Sequence, residues 1–153
     1  MSRHTVNRWS QRSDRIECVF LTSFRSEFSF LATVLNYSGI KMRQAESVEE
    51  ADFLLTVTGG TVFLSDATFA EGTWRDALEM AADVHPLVAS SIVADPVDWQ
   101  FVSDAFNCGA CGVLWKPIDL NRVITAIRIA DQAARDRAIV QNEAPVLRMV
   151  FSR

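Results

Sequence analysis

The sequence predicts an α/β protein of (βα)5 pattern, a three-layer sandwich around a central five-stranded parallel sheet, and two observations carry that expectation. Five short apolar or β-branched runs recur: ECVFLT from Glu17, IKMRQA from Ile40, TVFLSD from Thr61, LVASSIV from Leu87 and CGVLW from Cys111. None alternates cleanly between apolar and polar residues, so each reads as a strand covered on both faces, as in a parallel sheet. The second observation is that segments of helical period fill the gaps between the runs.

The helical segments follow in order. Phe30, Leu31, Val34 and Leu35 mark the first, and Val48, Ala51 and Leu55 the second. Ser47 and Glu50 have the spacing of a capping box at the start of the second, a cap being worth about 1 kcal/mol. Gly39 and Gly59 sit where these helices should stop. Trp74, Ala77, Leu78 and Ala81 form the third stripe, and Trp99, Val102, Ser103 and Phe106 the fourth. The last helix begins near Leu120 with Val123, Ile124, Ile127, Ala130 and Ala134 on one face. It continues through RIADQAARDRAIVQ, where Asp131 and Arg135 can pair, to an expected break at Pro145. The apolar VLRMVF that follows, Val146 to Phe151, is expected to dock on its own domain, on a second copy or on another protein. The chain therefore divides into a basic tail over 1–15, an α/β domain over 16–133, and an extended last helix with an apolar tail over 134–153.

Composition narrows the function classes. A chain of 153 residues, 49% hydrophobic and 22% charged, suits one globular domain burying roughly 70% of its unfolded surface. A net charge of -4 argues against nucleic acid as the main partner, because phosphate contacts need Lys and Arg gathered on one face. Arg3, Arg8, Arg12 and Arg15 make only the first segment basic. That segment lacks the apolar core of a signal peptide, and no run has membrane-spanning length, so a cytoplasmic protein without membrane contact is expected. Cys18, Cys108 and Cys111 are an odd count in a chain with a sizeable core, which speaks against a disulfide framework. Cys108 and Cys111 have CxxC spacing, but no second pair and no histidine pair completes a zinc site, the histidines being His4 and His85.

In open parallel α/β sheets, ligands bind beyond the carboxyl ends of the strands. The polar residues expected there are Thr22 and Ser23 after strand one, Asp66 after strand three, Ser90 and Ser91 or the following loop for strand four, and Lys116 followed by Pro117 after strand five. A carboxylate, a hydroxyl and an ammonium together could form an acyl phosphate: the carboxylate attacks a phosphoryl donor, and the other two groups hold its oxygens.

From Ile16 to about Ala133 the sequence resembles the receiver domain of bacterial two-component response regulators, a flavodoxin-like fold. The resemblance rests on SDATFAEGTWRD around Asp66, the hydroxyl-bearing fourth strand, Gly109-Ala110, and LWKPID from Leu114 to Asp119. It implies Asp66 as phosphoacceptor, Lys116 as the phosphate-pairing lysine, Ser90 or Ser91 as the switch hydroxyl, and Pro117 as a proline after a cis peptide. It implies Mg²⁺ held by Asp66 and the backbone carbonyl of Thr68. The acidic pair that usually completes the metal site is replaced by Thr22 and Ser23, so metal binding should be weakened or absent. Glu27, in the first turn of helix one, is the nearby carboxylate that could compensate; it also reads as a charge favourable at a helix N-terminus. Val113 stands where the family has an aromatic residue, beside Trp115.

The resemblance implies a single-domain signalling protein rather than an enzyme, phosphorylated on Asp66 by a sensor histidine kinase or phosphotransfer protein. With about twenty residues after the match, its signal is expected to pass to a downstream protein partner, and a homodimer is compatible with the long last helix. The alternative is a pseudo-receiver, an interaction module that is not phosphorylated. A small flavodoxin-like enzyme or nucleotide binder is a third reading; against it, TSFRSE follows strand one where a Gly-rich phosphate loop would stand.

Overall fold

The computed structural model describes residues 15–96 and 98–151, with side chains described up to residue 141. The sheet strands are β1 (Ile16–Leu21), β2 (Ile40–Ala45), β3 (Val62–Asp66), β6 (Ala89–Ala94) and β7 (Gly112–Trp115). A two-stranded hairpin, β4 (Thr68–Phe69) and β5 (Gly72–Thr73), follows β3. The helices are α1 (Arg25–Asn36), α2 (Val48–Thr58), α3 (Trp74–Val84), α4 (Trp99–Asn107) and α5 (Leu120–Phe151). All pairings in the five-stranded sheet are parallel, in the order β2-β1-β3-β6-β7. The order reverses at β1 and β3, and that places the ends of these two strands at the crevice where such sheets bind ligands.

Burial on both faces explains the strand composition. Every residue of β3 and of β6 is buried. On one face Cys18, Phe20, Val62 and Leu64 pack with Leu31 and Leu35 of α1 and with Val123 and Ile127 of α5. On the other, Val19, Leu21 and Phe63 pack with α2 and α3, while Ile92 and Ala94 meet Trp74, Leu78 and Ala105. A fully buried side chain of this kind is worth about 1.5–3 kcal/mol.

The helix signals were mostly local and mostly correct. Ser47 Oγ accepts from the Glu50 backbone N–H at 3.1 Å, and Gly59 closes α2 in the left-handed region at φ 65°. The reciprocal half of that capping box is different from expectation. The Glu50 carboxylate reaches past Ser47 to the Glu46 N–H, at 3.1 Å. A complete box occurs instead on α3, where Thr73 Oγ1 accepts from Arg75 N–H and Asp76 accepts from Thr73 N–H at 2.9 Å. Gly72 packs tightly there, since a Cβ would stand 2.8 Å from Asp76 Oδ2 and 2.9 Å from the Phe69 ring and both side chains would have to shift.

Three expectations need correction. Phe30 points to solvent although it belongs to the apolar run of α1; the inner positions are Leu31 and Leu35. On α4 the inner residue is Ala105, with Phe101 against Trp74, while Trp99 is 79% exposed and Phe106 is also exposed. Trp99 starts the helix directly after its N-cap Asp98, ahead of the turn that lies on the sheet. Finally, α5 runs through Pro145 without a break. A proline there removes one backbone hydrogen bond, a local cost of about 3 kcal/mol that the helix carries. Asp131 and Arg135 do pair on α5, at 2.8 Å. Residues 1–14 of the basic tail lie outside the described residues, as do the side chains of Val146 to Phe151.

Candidate functional site

Asp66 is the last residue of β3, and Ala67 continues the ladder by donating to Val93 O at 2.9 Å. The carboxylate is thus fixed by sheet register rather than by loop conformation. The Asp66 residue is only 2% exposed. The Thr22 hydroxyl, at the end of β1, donates to Asp66 Oδ2 at 2.5 Å. Thr22 is held in turn: its Oγ1 accepts from Phe24 N–H at 3.1 Å, and its carbonyl accepts from Gln44 Nε2 at 2.9 Å. The other oxygen, Asp66 Oδ1, has no hydrogen-bond partner and lies 3.7 Å from Lys116 Nζ.

Lys116 follows β7 directly, its N–H bonded to Ala94 O at 2.9 Å, and the Lys116–Pro117 peptide is cis. Its ammonium rests 4.9 Å from the centre of the Phe24 ring, a cation–π contact the sequence did not announce. Burial raises the Asp66 pKa above the ordinary carboxylate value, and the Glu27 charge adds to that rise. The Thr22 hydrogen bond and the Lys116 charge work the other way, but burial is the largest effect.

The structure brings together Asp66, Lys116 and Thr22, with Pro117 beside them. Ser23 does not join them; its Oγ accepts from Ala70 N–H at 3.2 Å and ties the β4–β5 hairpin to the end of β1. Thr68 opens β4, paired with Thr73. Glu27 stands in the first turn of α1 and lines a cleft with Phe30, Leu31, Lys116, Pro117 and Ile118.

Neither Ser90 nor Ser91 reaches Asp66. In the β3–β6 register Ser90 faces Phe63 and Ser91 faces Leu64, whereas Asp66 lies beside Val93. Each residue of a strand adds about 3.3 Å, which puts both hydroxyls well below the site. The residue that ends β6 next to the site is Ala94, which offers no hydroxyl. Asp95-Pro96 was the available signal, since a turn at those residues sets the strand end at Ala94.

The CxxC spacing also dissolves. Cys111 Sγ contacts Ser91 Oγ at 3.3 Å, whereas Cys108 lines a cleft with Ser90, and consecutive strand residues face opposite sides of the sheet.

A Mg²⁺ ion needs hard oxygen ligands, usually with one or two carboxylates. One oxygen of the Asp66 carboxylate is taken by Thr22, and the Glu27 carboxylate acts on it from the first turn of α1. Among the described residues no group of three or more His, Cys, Asp or Glu could hold a metal. Asp66 is the residue that would hold Mg²⁺ here, with Thr22 standing where the resemblance expects a further acid.

No protein-family model and no curated protein sequence matches the chain. Solved structures do resemble it. A receiver domain of an HD domain-containing protein from Pseudomonas fluorescens superposes with a TM-score of 0.72 at 20% identity, covering 80% of this chain and 98% of that one. A response regulator receiver domain from Clostridium thermocellum gives 0.71 at 19% identity, covering 81% and 98%. The receiver domain of a Francisella response regulator gives 0.71 at 16%, covering 77% and 98%. Among the described residues no helix is long and apolar enough to cross a membrane. The five parallel strands, their order and these superpositions establish that the chain has the fold of a response regulator receiver domain.

Proposed function

We propose that this chain is a signalling module of receiver fold that acts through protein contacts without phosphorylation of Asp66. The observation that carries the reading is the hydrogen bond from Thr22 to Asp66 Oδ2, made where the resemblance expects a metal-binding acid. Phosphoryl transfer depends on positive charge and positioned donors around the phosphoryl oxygens. Lys116 supplies one charge, Ala94 supplies no donor, and burial favours the protonated Asp66, which is the poorer nucleophile. The partner is then a protein that reads the fixed surface of the domain.

One observation favours a second reading. Asp66 Oδ1 is free of hydrogen bonds and close to Lys116, the arrangement a phosphoacceptor would use. In that case a histidine kinase or phosphotransfer protein supplies the phosphoryl group, and a downstream protein receives the signal.

Intact-mass measurement with acetyl phosphate and millimolar Mg²⁺ separates the two. The expected outcome is no adduct on wild type or Asp66→Ala, and a Mg²⁺-dependent adduct on Thr22→Asp, which restores a carboxylate beside Asp66. An adduct on wild type that Asp66→Ala removes would overturn the first reading and establish the second.

A further inference from the structure

A cleft far from Asp66 carries chemistry of its own. It lies between α3, the turn that follows α4 and Arg137 of α5, holds about 310 Å³, and has apolar walls that include Leu78, Ala81 and Val88. That volume is at the lower end of small-molecule sites. Ser90 and Cys108 line it, with His85 and Arg137. Ser90 is 5% exposed, and its hydroxyl has no hydrogen-bond partner among the described residues. The Ser90 residue is buried but lines the cleft, where its hydroxyl can hydrogen-bond a molecule held there.

Cys108, the C-cap residue of α4, is exposed at this cleft. Arg75 Nη1 stands 3.6 Å from its sulfur, while the same guanidinium pairs with Asp104 at 3.4 Å. Exposed cysteines beside an arginine are the ones whose sulfur attacks, because the cation faces the negative charge that develops on it. The other two thiols are different. Cys18 is fully buried, and burial pushes its pKa far up. Cys111 is exposed but engages the Ser91 hydroxyl at 3.3 Å and has no cation recorded at its sulfur among the described residues.

We propose that Cys108 is a site of thiol–disulfide exchange with a small peptide disulfide of the glutathione type, and that the cleft holds the half that is added. The Cys108 thiol gives up its proton and its sulfur attacks one sulfur of the disulfide. The new S–S bond forms as the old one breaks, and the other half leaves as a thiolate that takes the proton. No further oxidant or reductant is needed. The added half carries carboxylates, for which Arg137 and the Ser90 hydroxyl are the donors, and an apolar stem for the walls. Ser90 is paired with Phe63, three residues before Asp66, or roughly 10 Å along the strand. The input is thus separate from the carboxyl edge and stands whether or not Asp66 is phosphorylated.

The full chain is incubated with oxidised glutathione or with iodoacetamide, and each cysteine is followed by peptide mass spectrometry. Cys108 is expected to form the mixed disulfide at least about tenfold faster than Cys111, which serves as the control within the same molecule. Arg75→Gln should slow both reagents at Cys108, while Ser90→Ala should slow glutathione disulfide and leave iodoacetamide unchanged. Equal rates at Cys108 and Cys111, an internal Cys108–Cys111 disulfide, no adduct, or an unchanged ratio of the two reagents in Ser90→Ala would each overturn the proposal.

Discussion

Asp66 and Asp131 are both buried carboxylates, both accept a threonine hydroxyl, and both have a basic neighbour, yet only one of them is satisfied. Asp131 on α5 takes the Thr61 hydroxyl on Oδ1 and the Arg135 guanidinium on Oδ2, so each oxygen has a partner. Asp66 takes the Thr22 hydroxyl on Oδ2 and leaves Oδ1 without a bond, with Lys116 3.7 Å away. Asp131 ties the last helix to Thr61, just before β3, and its chemistry ends there. A buried oxygen one bond short is costly, so Asp66 carries a penalty that Asp131 does not.

The largest effect should come from breaking the satisfied member. Asp131→Asn leaves Arg135 facing an amide and is expected to cost about 2 kcal/mol in urea unfolding, the range for hydrogen bonds to charged groups. Asp66→Asn should stay within about 1 kcal/mol of wild type or exceed it, since it removes a carboxylate that is buried and half satisfied. Equal losses at the two positions would erase the distinction between them.

The pH dependence sharpens the same contrast. Burial raises the folded-state pKa of Asp66 above the ordinary value of 3.8, so the folded chain holds this proton more tightly than the unfolded chain. Stability from this group is therefore lost as pH rises from 3.8 through the folded pKa, and the full penalty is present above it. The stability difference between Asp66→Asn and wild type should open over that rise and close again toward lower pH, as read from urea midpoints at each pH. A difference that widened as pH fell would mean that Lys116 and Thr22 outweigh burial.

The smallest expected effect tests the inner face of α4. Trp99→Ser removes a side chain on a residue that is 79% exposed, and should shift stability by less than about 0.5 kcal/mol. A larger loss would return Trp99 to the core and undo the corrected helix face.

How far the sequence could be read depends on the range of the signal. The strands of the sheet were visible because burial on both faces leaves an unbroken apolar run, and Gly59 was visible because a left-handed C-cap favours glycine. Asp66 and Lys116-Pro117 stood out as polar residues at run ends. Ser90 and Ser91 misled because both carry hydroxyls, and composition does not tell how far along a strand a residue lies. Phe24 under Lys116 and Gln44 behind Thr22 had no sequence signal at all, since each contact joins separate loops or strands. The outward turn of Phe30 and Trp99 was hidden by the same limit, because apolar residues on a helix fix a period but not which edge of the stripe faces the sheet.

The sequence by itself determined the (βα)5 pattern, the parallel sheet and the placement of a carboxylate and a lysine at strand ends, because hydrophobic period, cap residues and strand composition are local properties. Only the tertiary structure decided that Thr22 binds Asp66, that Ala94 ends β6 beside it, and that Cys108 and Cys111 serve different surroundings. Those outcomes depend on the register between strands far apart in the chain, where a shift of one residue sends every side chain to the opposite face.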